Sequence, residues 1–410
     1  MQEGKPRSLK VSIDEVSVGM VLQDVFNAQG KLLLSSVTIT AHDQIEALKR
    51  QGVEYAFLAP PVNRSSQNVP PEPEQPELPV PEAITITKRE DNYYKELDRA
   101  KEVHQATLEA ARNTLKAARF GKQVDITSIE LAAEEMVSSI LRNPDALVSL
   151  AQIKGYDEYT YVHSVNVGIL ITSLVHTMGY TEEQLLEAGI GGLLHDIGKM
   201  RVPERILNKP GKYTSEEFSI MKRHPENGIN ILKNANAISD FSKVVIIEHH
   251  ERFNGKGYPR GISEKDIHEI GFIAAVADVY DAMTTDRIYR PAWTPQRTLA
   301  MIFQGCDIDY SRRIVELFTR HLGIYPVGSF VRLKTGEMGV VTRVEKGSIL
   351  TPQMLVLFDR YGNPLKKPVE YNLAELQKTK HGDRYHIEIS LNPEHYRIKV
   401  SDYIQSNPFS

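Results

Sequence analysis

GGLLHDIGKM, residues Gly191 to Met200, sets a histidine and an aspartate side by side, His195 and Asp196, at the end of an apolar run. Downstream, HHERFNGKGYP, residues His249 to Pro259, repeats the arrangement with His249 and His250. On a helix, residues three or four apart share a face and immediate neighbours do not. Adjacent metal ligands therefore suit a helix end, or a place where two ions each take one of the pair. Further candidates lie on either side: His163 in YVHSVNVG, His224 in MKRHPENG and Asp278 in AAVADVYDA. Five of the chain's 13 histidines, with two aspartates, fall in this ordered series, which is far more specific than one His–Asp dipeptide.

The sequence around these motifs has helical periodicity. In YTYVHSVNVGILITSLVHTMG, Val167, Leu170, Leu174 and Met178 form an apolar stripe, with His163 one turn before Val167. TEEQLLEAGIGGLLHDIGK begins with Thr181 as N-cap and Glu182 and Glu183 in the first turn. TSEEFSIMKRHPENGINILK repeats that start signal at Thr214 or Ser215, and SKVVIIEHH is an apolar run ending in its ligand pair. GFIAAVADVYDAMTT carries Asp278 and Asp281 at i, i+3 on one face, and ITSIELAAEEMVSSILRN and ALVSLAQIKG add two helices upstream. Residues 125–325 read as one all-α domain.

The flanks read differently. Residues 1–59 form a small α/β module: LKVSI and KLLL as strands, NAQG as a turn, a helix from Thr40 through AHDQIEALKRQG, then EYAFL as a strand. It carries no cluster of catalytic residue types and reads as a docking or regulatory unit. Residues 60–88 form a Pro-rich linker, with eight of the chain's 22 prolines between Pro60 and Pro81. Residues 89–124 form a connecting helix in which Leu97, Ala100, His104, Leu108, Ala111, Leu115 and Ala118 follow a 3/4 spacing. That spacing allows a homodimer seam, or packing against the next domain. Residues 326–410 form a β-rich domain, with strands in VGSFVRLKTGEMGVVTRV, MLVLFD and HIEISL.

At 410 residues the chain has room for several cores. A net charge of −4 argues against general nucleic-acid binding, which needs a positive surplus. The single cysteine, Cys306, excludes an internal disulfide and cysteine-rich zinc sites. No stretch nears the roughly 20 apolar residues of a spanning helix, and the N-terminus leads into no signal-type run. The expectation is a cytoplasmic protein without a membrane anchor.

Histidine and carboxylate ligands without cysteine suit first-row divalent ions: Fe, Mn, Ni, Co or Zn. Seven ligands are too many for one tetrahedral ion. With one carboxylate bridging, they suit two ions about 3.5–4 Å apart, the arrangement of two-metal phosphoester hydrolysis. One ion would lower the pKa of bound water to give hydroxide, and the pair would clamp the attacking and leaving oxygens. Lys199, one turn past Asp196, and Arg287 and Arg290, beyond Asp278, are placed to neutralise phosphate oxygens. Asp281 has two open readings: orienting a ligand histidine, or facing solvent. His176, His268 and His321 read as structural or exposed. Trp293 and Tyr289 read as packing residues or as platforms for a guanine.

His163, HDIGK at 195–199, His224, HHERFNGKGYP at 249–259 and ADVYDAMTTDRIYR at 277–290 resemble the HD-GYP family, a branch of the HD-domain metal-dependent phosphohydrolases. The resemblance covers roughly residues 125–322. It implies a bacterial signalling enzyme that hydrolyses cyclic di-GMP to linear pGpG, and often onward to GMP. Carried over by position, one ion is held by His163, His195, Asp196 and Asp278, and the second by Asp196, His224, His249 and His250. Asp196 is then the bridge, with Lys199 on the scissile phosphate and Arg287 and Arg290 on substrate phosphates. The GYP loop, Gly257 to Pro259, serves loop shape and contact with partners such as GGDEF-motif diguanylate cyclases. The terminal modules resemble accessory regions found beside such domains.

Two departures matter. Three-metal members carry a glutamate one turn before the first histidine, where this chain has Tyr159. The neighbouring Glu158 points about 100° away around the helix, so two ions are expected rather than three. The usual aspartate before the GYP glycines is Asn254. A phosphohydrolase preferring pGpG or another nucleotide, and a receptor that binds cyclic di-GMP without turnover, are the rival readings.

Overall fold

The computed structural model describes residues 9–16, 20–27, 32–38, 42–50, 52–58, 92–153, 159–233, 238–285, 292–345, 347–379 and 382–404. Its contacts divide the chain into two units, Met1–Val80 and Pro81–Ser410. The proline-rich stretch from Pro60 to Pro81 lies outside the described residues.

In the first unit, β1 (Leu9–Ser12), β2 (Val21–Asn27), β3 (Leu32–Thr38) and β4 (Val53–Leu58) form an antiparallel sheet in the order β1-β4-β2-β3. Helix α1 (His42–Arg50) lies between β3 and β4 in the chain. Its Ile45 and Leu48 share a core with Val11, Leu22, Val25, Val53 and Ala56. β2 is absent from the sequence reading because Gln23 and Asp24 sit together in VLQDVFN and interrupt its alternation.

The second unit begins with α2 (Asn92–Arg119), α3 (Thr127–Arg142), α4 (Pro144–Gln152), α5 (Tyr159–Thr177) and α6 (Glu182–Leu194). It continues through α7 (Glu204–Leu207), α8 (Ser215–Met221), α9 (His224–Leu232), α10 (Asp240–Glu248), α11 (Glu269–Thr284), α12 (Pro295–Gln304) and α13 (Arg312–Leu322). Start signals in the sequence become caps. Thr181 and Thr214 each form a capping box, with Gln184 and Glu217 respectively.

Leu97, Ala100, Ala111, Leu115 and Ala118 of α2 are buried in the same core as Ile129, Met136, Leu147, Leu174 and Tyr280. The expected seam therefore packs within the chain and is not available as a dimer interface. Helices α5 and α6 come unusually close: a Cβ on Gly192 would lie 2.6 Å from the Gly168 Cα. That approach draws the helix bearing His163 toward the helix ending at His195.

The chain ends in β5 (Phe330–Leu333), β6 (Met338–Arg343), β7 (Gln353–Phe358), β8 (Pro364–Asn372) and β9 (Ile387–Leu391), all antiparallel, in the order β8-β7-β6-β5-β9. Residues alternate between two cores, Val331, Val341 and Val356 on one side and Phe330, Val340 and Leu355 on the other. β8 escaped the sequence reading because PLKKPVEYN holds two prolines and two lysines. Such a strand is tolerated at a sheet edge, which is where it lies. The architecture is multidomain: a mostly helical domain, a small α/β N-terminal module and a β-rich C-terminal region. Among the described residues, no helix is long and apolar enough to cross a membrane.

Candidate metal centre

Helix ends build the centre. His195 follows α6, His249 follows α10, and His224 stands just after the end of α8 as the first residue of α9. The last carbonyls of a helix lack intrahelical donors, and each imidazole supplies one. His195 Nδ1 donates to the Gly192 carbonyl, His224 Nδ1 to Met221 and His249 Nδ1 to Ile246, all at 2.8 Å. These bonds fix the ring planes and turn each Nε2 into the site, as outer hydrogen bonds do for metal-ligating histidines.

The Nε2 atoms converge on Asp196. Its Oδ1 lies 3.4 Å from His224 Nε2 and 3.8 Å from His249 Nε2. Its Oδ2 lies 3.4 Å from His195 Nε2, 3.7 Å from His163 Nε2 and 2.6 Å from Lys199 Nζ. The two oxygens thus face two different groups of imidazoles. Asp278 also stands between groups, with Oδ1 3.1 Å from His163 Nε2 and Oδ2 3.6 Å from His250 Nδ1. All seven residues singled out as ligands come together, through α5, α6, α9, α10 and α11.

Donor atoms within 4.8 Å of one another form three groups: His224, His249 and His250; His163, His195 and Asp278; and His195, Asp196 and His249. The chemistry of this set fits a cation. His195 Nε2 and Asp196 Oδ1 are buried without a hydrogen-bond partner. His224 Nε2 faces His249 Nε2 at 3.1 Å although both rings already donate from Nδ1, so two lone pairs confront each other. Uncompensated, such groups are costly in a buried site; divalent ions suit them.

Charge follows the same logic. Burial pushes His224 down to about 4, with the Lys199 charge adding to it. Burial likewise holds His249 and His250 well below the usual imidazole value. Burial alone would raise the Asp196 carboxyl, but Lys199, His195 and His224 outweigh it and keep it well below the ordinary range. Burial opposes the charge on His163, yet Asp278 and Asp281 flank both its nitrogens and push it up to about 9.

Asp281 is fully buried, so the solvent-facing reading of this residue is set aside. Its Oδ2 lies 2.8 Å from His163 Nδ1, and its Oδ1 accepts from Asn166 Nδ2 at 3.0 Å. Lys199 is partly exposed. Arg287, Arg290 and Tyr289 lie outside the described residues, as does Glu158. Trp293 carries Arg297 over its ring at 3.9 Å. His268 caps α11, and His321 bonds to Ser173 and Thr177.

Sequence reasoning missed the residues that brace the candidate ligands. Glu251, 1% exposed, takes backbone N–H bonds from Arg260 (2.8 Å), Gly261 (3.2 Å) and Ile262 (3.2 Å). Glu248 pairs with the Arg260 side chain and accepts from the His268 N–H. Together they fold the loop that brings Tyr258 against His250, ring centroids 4.6 Å apart. The signal available was two glutamates flanking a histidine pair at the end of an apolar run, where charged residues are rarely buried unpaired.

Residues 135–310 match the HD domain family, residues 330–397 a KOW domain associated with HD domain, and residues 8–129 a domain of unknown function. A cyclic di-GMP phosphodiesterase of Pseudomonas aeruginosa is 38% identical over 275 residues, 67% of this chain and 66% of that protein. One from Thermotoga maritima is 39% identical over 165 residues, 40% of this chain and 45% of that protein. A 3′3′-cGAMP-specific phosphodiesterase of Vibrio cholerae is 32% identical over 163 residues, 40% of this chain and 31% of that protein. The chain thus spans just under two thirds of the first relative's length and less than half of the others'.

Proposed function

The chain belongs to the HD-domain family, and from that premise we propose that it is an enzyme that hydrolyses cyclic di-GMP, opening a 3′–5′ phosphodiester to give linear pGpG. One observation carries the reading: three buried imidazoles, each tied by Nδ1 to a helix-end carbonyl, turn their Nε2 atoms toward the two oxygens of Asp196. We assign one ion to His163, His195, Asp196 and Asp278, and a second to Asp196, His224, His249 and His250. Such ions, when bound, supply acidified water and offset phosphate charge.

The chain's own residues do the remaining work. Asp281 and Asn166 hold the His163 ring in orientation. Tyr258 shields His250 from solvent on one side. Lys199, at the solvent-facing edge of the site, is assigned to the scissile phosphate, where it would exchange the Asp196 oxygen for a substrate oxygen. Arg287 and Arg290 are assigned to the remaining phosphate charge. The proposal includes a cytoplasmic location, which a single reduced cysteine suits. It also includes the GYP loop as a contact for GGDEF-motif cyclases, and a homodimer formed elsewhere than on α2.

A second reading, that another cyclic dinucleotide is the preferred substrate, is favoured by the resemblance to the 3′3′-cGAMP-specific relative. The test is metal analysis of purified protein with a product time course on cyclic di-GMP, 3′3′-cGAMP and pGpG. Conversion of cyclic di-GMP to pGpG with two ions per chain supports the proposal, and further loss of pGpG to GMP extends it. Faster turnover of 3′3′-cGAMP or pGpG reassigns the substrate. Full ion loading with tight binding and no product makes the protein a receptor.

A further inference from the structure

Arg119, the last residue of α2, belongs to none of the motifs that mark the centre, yet it grips the segment carrying Asp196 and Lys199. Its Nη1 donates to the Met200 carbonyl (3.0 Å) and the Val202 carbonyl (2.6 Å), and its Nη2 pairs with Glu204 (2.9 Å). Met200 and Val202 sit at the end of the short 3₁₀ turn Ile197–Arg201 that follows Asp196. Pro203 comes next and has no N–H to give. A planar guanidinium meets two carbonyls and a carboxylate at once with a fixed, spread fork of donors, where an ammonium is a compact point charge on a flexible stem.

Arg119 is itself held rigidly. Leu115 and Ala118 are buried in the helical core, and Gly121, at φ 67°, ends α2 immediately beyond. The Gly121 N–H bonds the Ala118 carbonyl and the Lys122 N–H the Ala117 carbonyl, both at 3.1 Å, closing the helix end. At the other end of α2 the buried Glu96 carboxylate accepts from Arg142 and Ser139, and the Tyr93 hydroxyl donates to Ser149 at 3.1 Å. The rod is about 42 Å long at 1.5 Å per residue and pinned at both ends. Across the turn, Gly198 lies against the α9 backbone. The Asp196-bearing segment is therefore gripped between α9 and the tip of α2.

We infer that Arg119 is a positioning residue for the metal centre: through the Met200 and Val202 carbonyls it fixes the turn that aims Asp196 and Lys199. α2 is thereby the element that joins the chain entering at Asn92 to Asp196. The inference rests on the reading that Asp196 and its neighbours hold ions, and the test separates the two.

Full-length Arg119→Ala and Arg119→Lys are compared with the unaltered protein by amide hydrogen exchange of the metal-free forms and by calorimetric titration with Mn(II). In Arg119→Ala, the Lys199 and Val202 amides, which bond Asp196 and Lys199 carbonyls, exchange tenfold faster or more, while α5 and α11 keep their protection. Mn(II) affinity falls by about ten- to a hundredfold, the range for residues that orient metal ligands. Arg119→Lys, with one cation but no fork, recovers part of both. Unchanged exchange and affinity in Arg119→Ala overturn the inference. So does faster exchange spread over every helix with no recovery in Arg119→Lys. An unaltered protein that takes up no Mn(II) sinks the ion reading, while the exchange at Lys199 and Val202 still judges the grip of Arg119.

Discussion

Gly198→Ala tests the architecture of the centre at its tightest point. A Cβ at residue 198 would stand 1.8 Å from the His224 carbonyl oxygen and 2.5 Å from the Gly228 nitrogen. Both are backbone atoms of α9, so neither can rotate aside. The approach falls about 1.6 Å short of the 3.4 Å at which ordinary contact begins. The turn and α9 must therefore part by an appreciable fraction of that distance. Asp196 travels with the turn and His224 with α9, and their facing atoms are now 3.4 Å apart. Parting them strips Asp196 Oδ1 from the group formed by His224, His249 and His250. Misplacement of a reacting group by 1 Å costs about a hundredfold in rate, and overpacking costs about 1–3 kcal/mol of stability. On the proposed function, the expected outcome is a folded protein that keeps one ion instead of two by elemental analysis and turns over cyclic di-GMP about a hundredfold more slowly. Two ions and turnover within threefold of the unaltered protein would refute the reasoning.

Asp281→Asn removes the negative charge that orients His163 and should weaken Mn(II) binding by about ten- to a hundredfold, read by titration calorimetry. Glu251→Ala leaves three N–H groups of the loop at 260–262 without their acceptor and should destabilise the protein by at least about 1–3 kcal/mol in urea unfolding. Limited proteolysis should then cut first between Arg252 and Asp266. For Glu96, burial alone raises the carboxyl, but hydrogen bonds from Arg142 and Ser139 outweigh it and leave it below its ordinary 4.5. A carboxyl depressed by folding contributes stability above its unfolded value and loses it as pH falls through the folded one. The melting temperature of the unaltered protein should therefore drop more steeply below pH 4.5 than that of Glu96→Gln, the two curves converging in acid.

What the sequence made legible was chemistry that must sit in one place in the chain. Caps at Thr181 and Thr214, the apolar run before His249 and the i, i+3 pair Asp278 and Asp281 are local signals, and each became a local structure. The braces were not legible because their partners are distant or are backbone. Asn166 meets Asp281 across 115 residues, and Arg119 meets Met200 across 81. Glu251 bonds only main-chain N–H groups, which carry no residue identity. Asp281 stayed open between two readings because an i, i+3 pair on a helix fixes a shared face and says nothing of what covers it. β8 was hidden by prolines and lysines that a central strand excludes and an edge strand accepts.

Adjacent candidate ligands at helix ends also explain why this chain uses dipeptides, His195–Asp196 and His249–His250, where helix faces would demand spacing. The first histidine of each pair is still within reach of the carbonyl three residues back and spends its Nδ1 proton there. The next residue leaves the helical path and swings its side chain to the other half of the site. Asp196 reaches two imidazole groups and His250 faces Asp278. One short sequence element thereby serves two binding positions. The C-terminal end of a helix carries partial negative charge from its exposed carbonyls. Three such ends, those of α6, α8 and α10, direct their last carbonyls at the rings of His195, His224 and His249. Their field has the sign that favours cations, and Lys199 is the only cationic side chain within 4 Å of Asp196 or Asp278 among the described residues, histidines aside. On the proposed function, bound ions would therefore add to Lys199, Arg287 and Arg290 in offsetting the phosphate charge of a nucleotide.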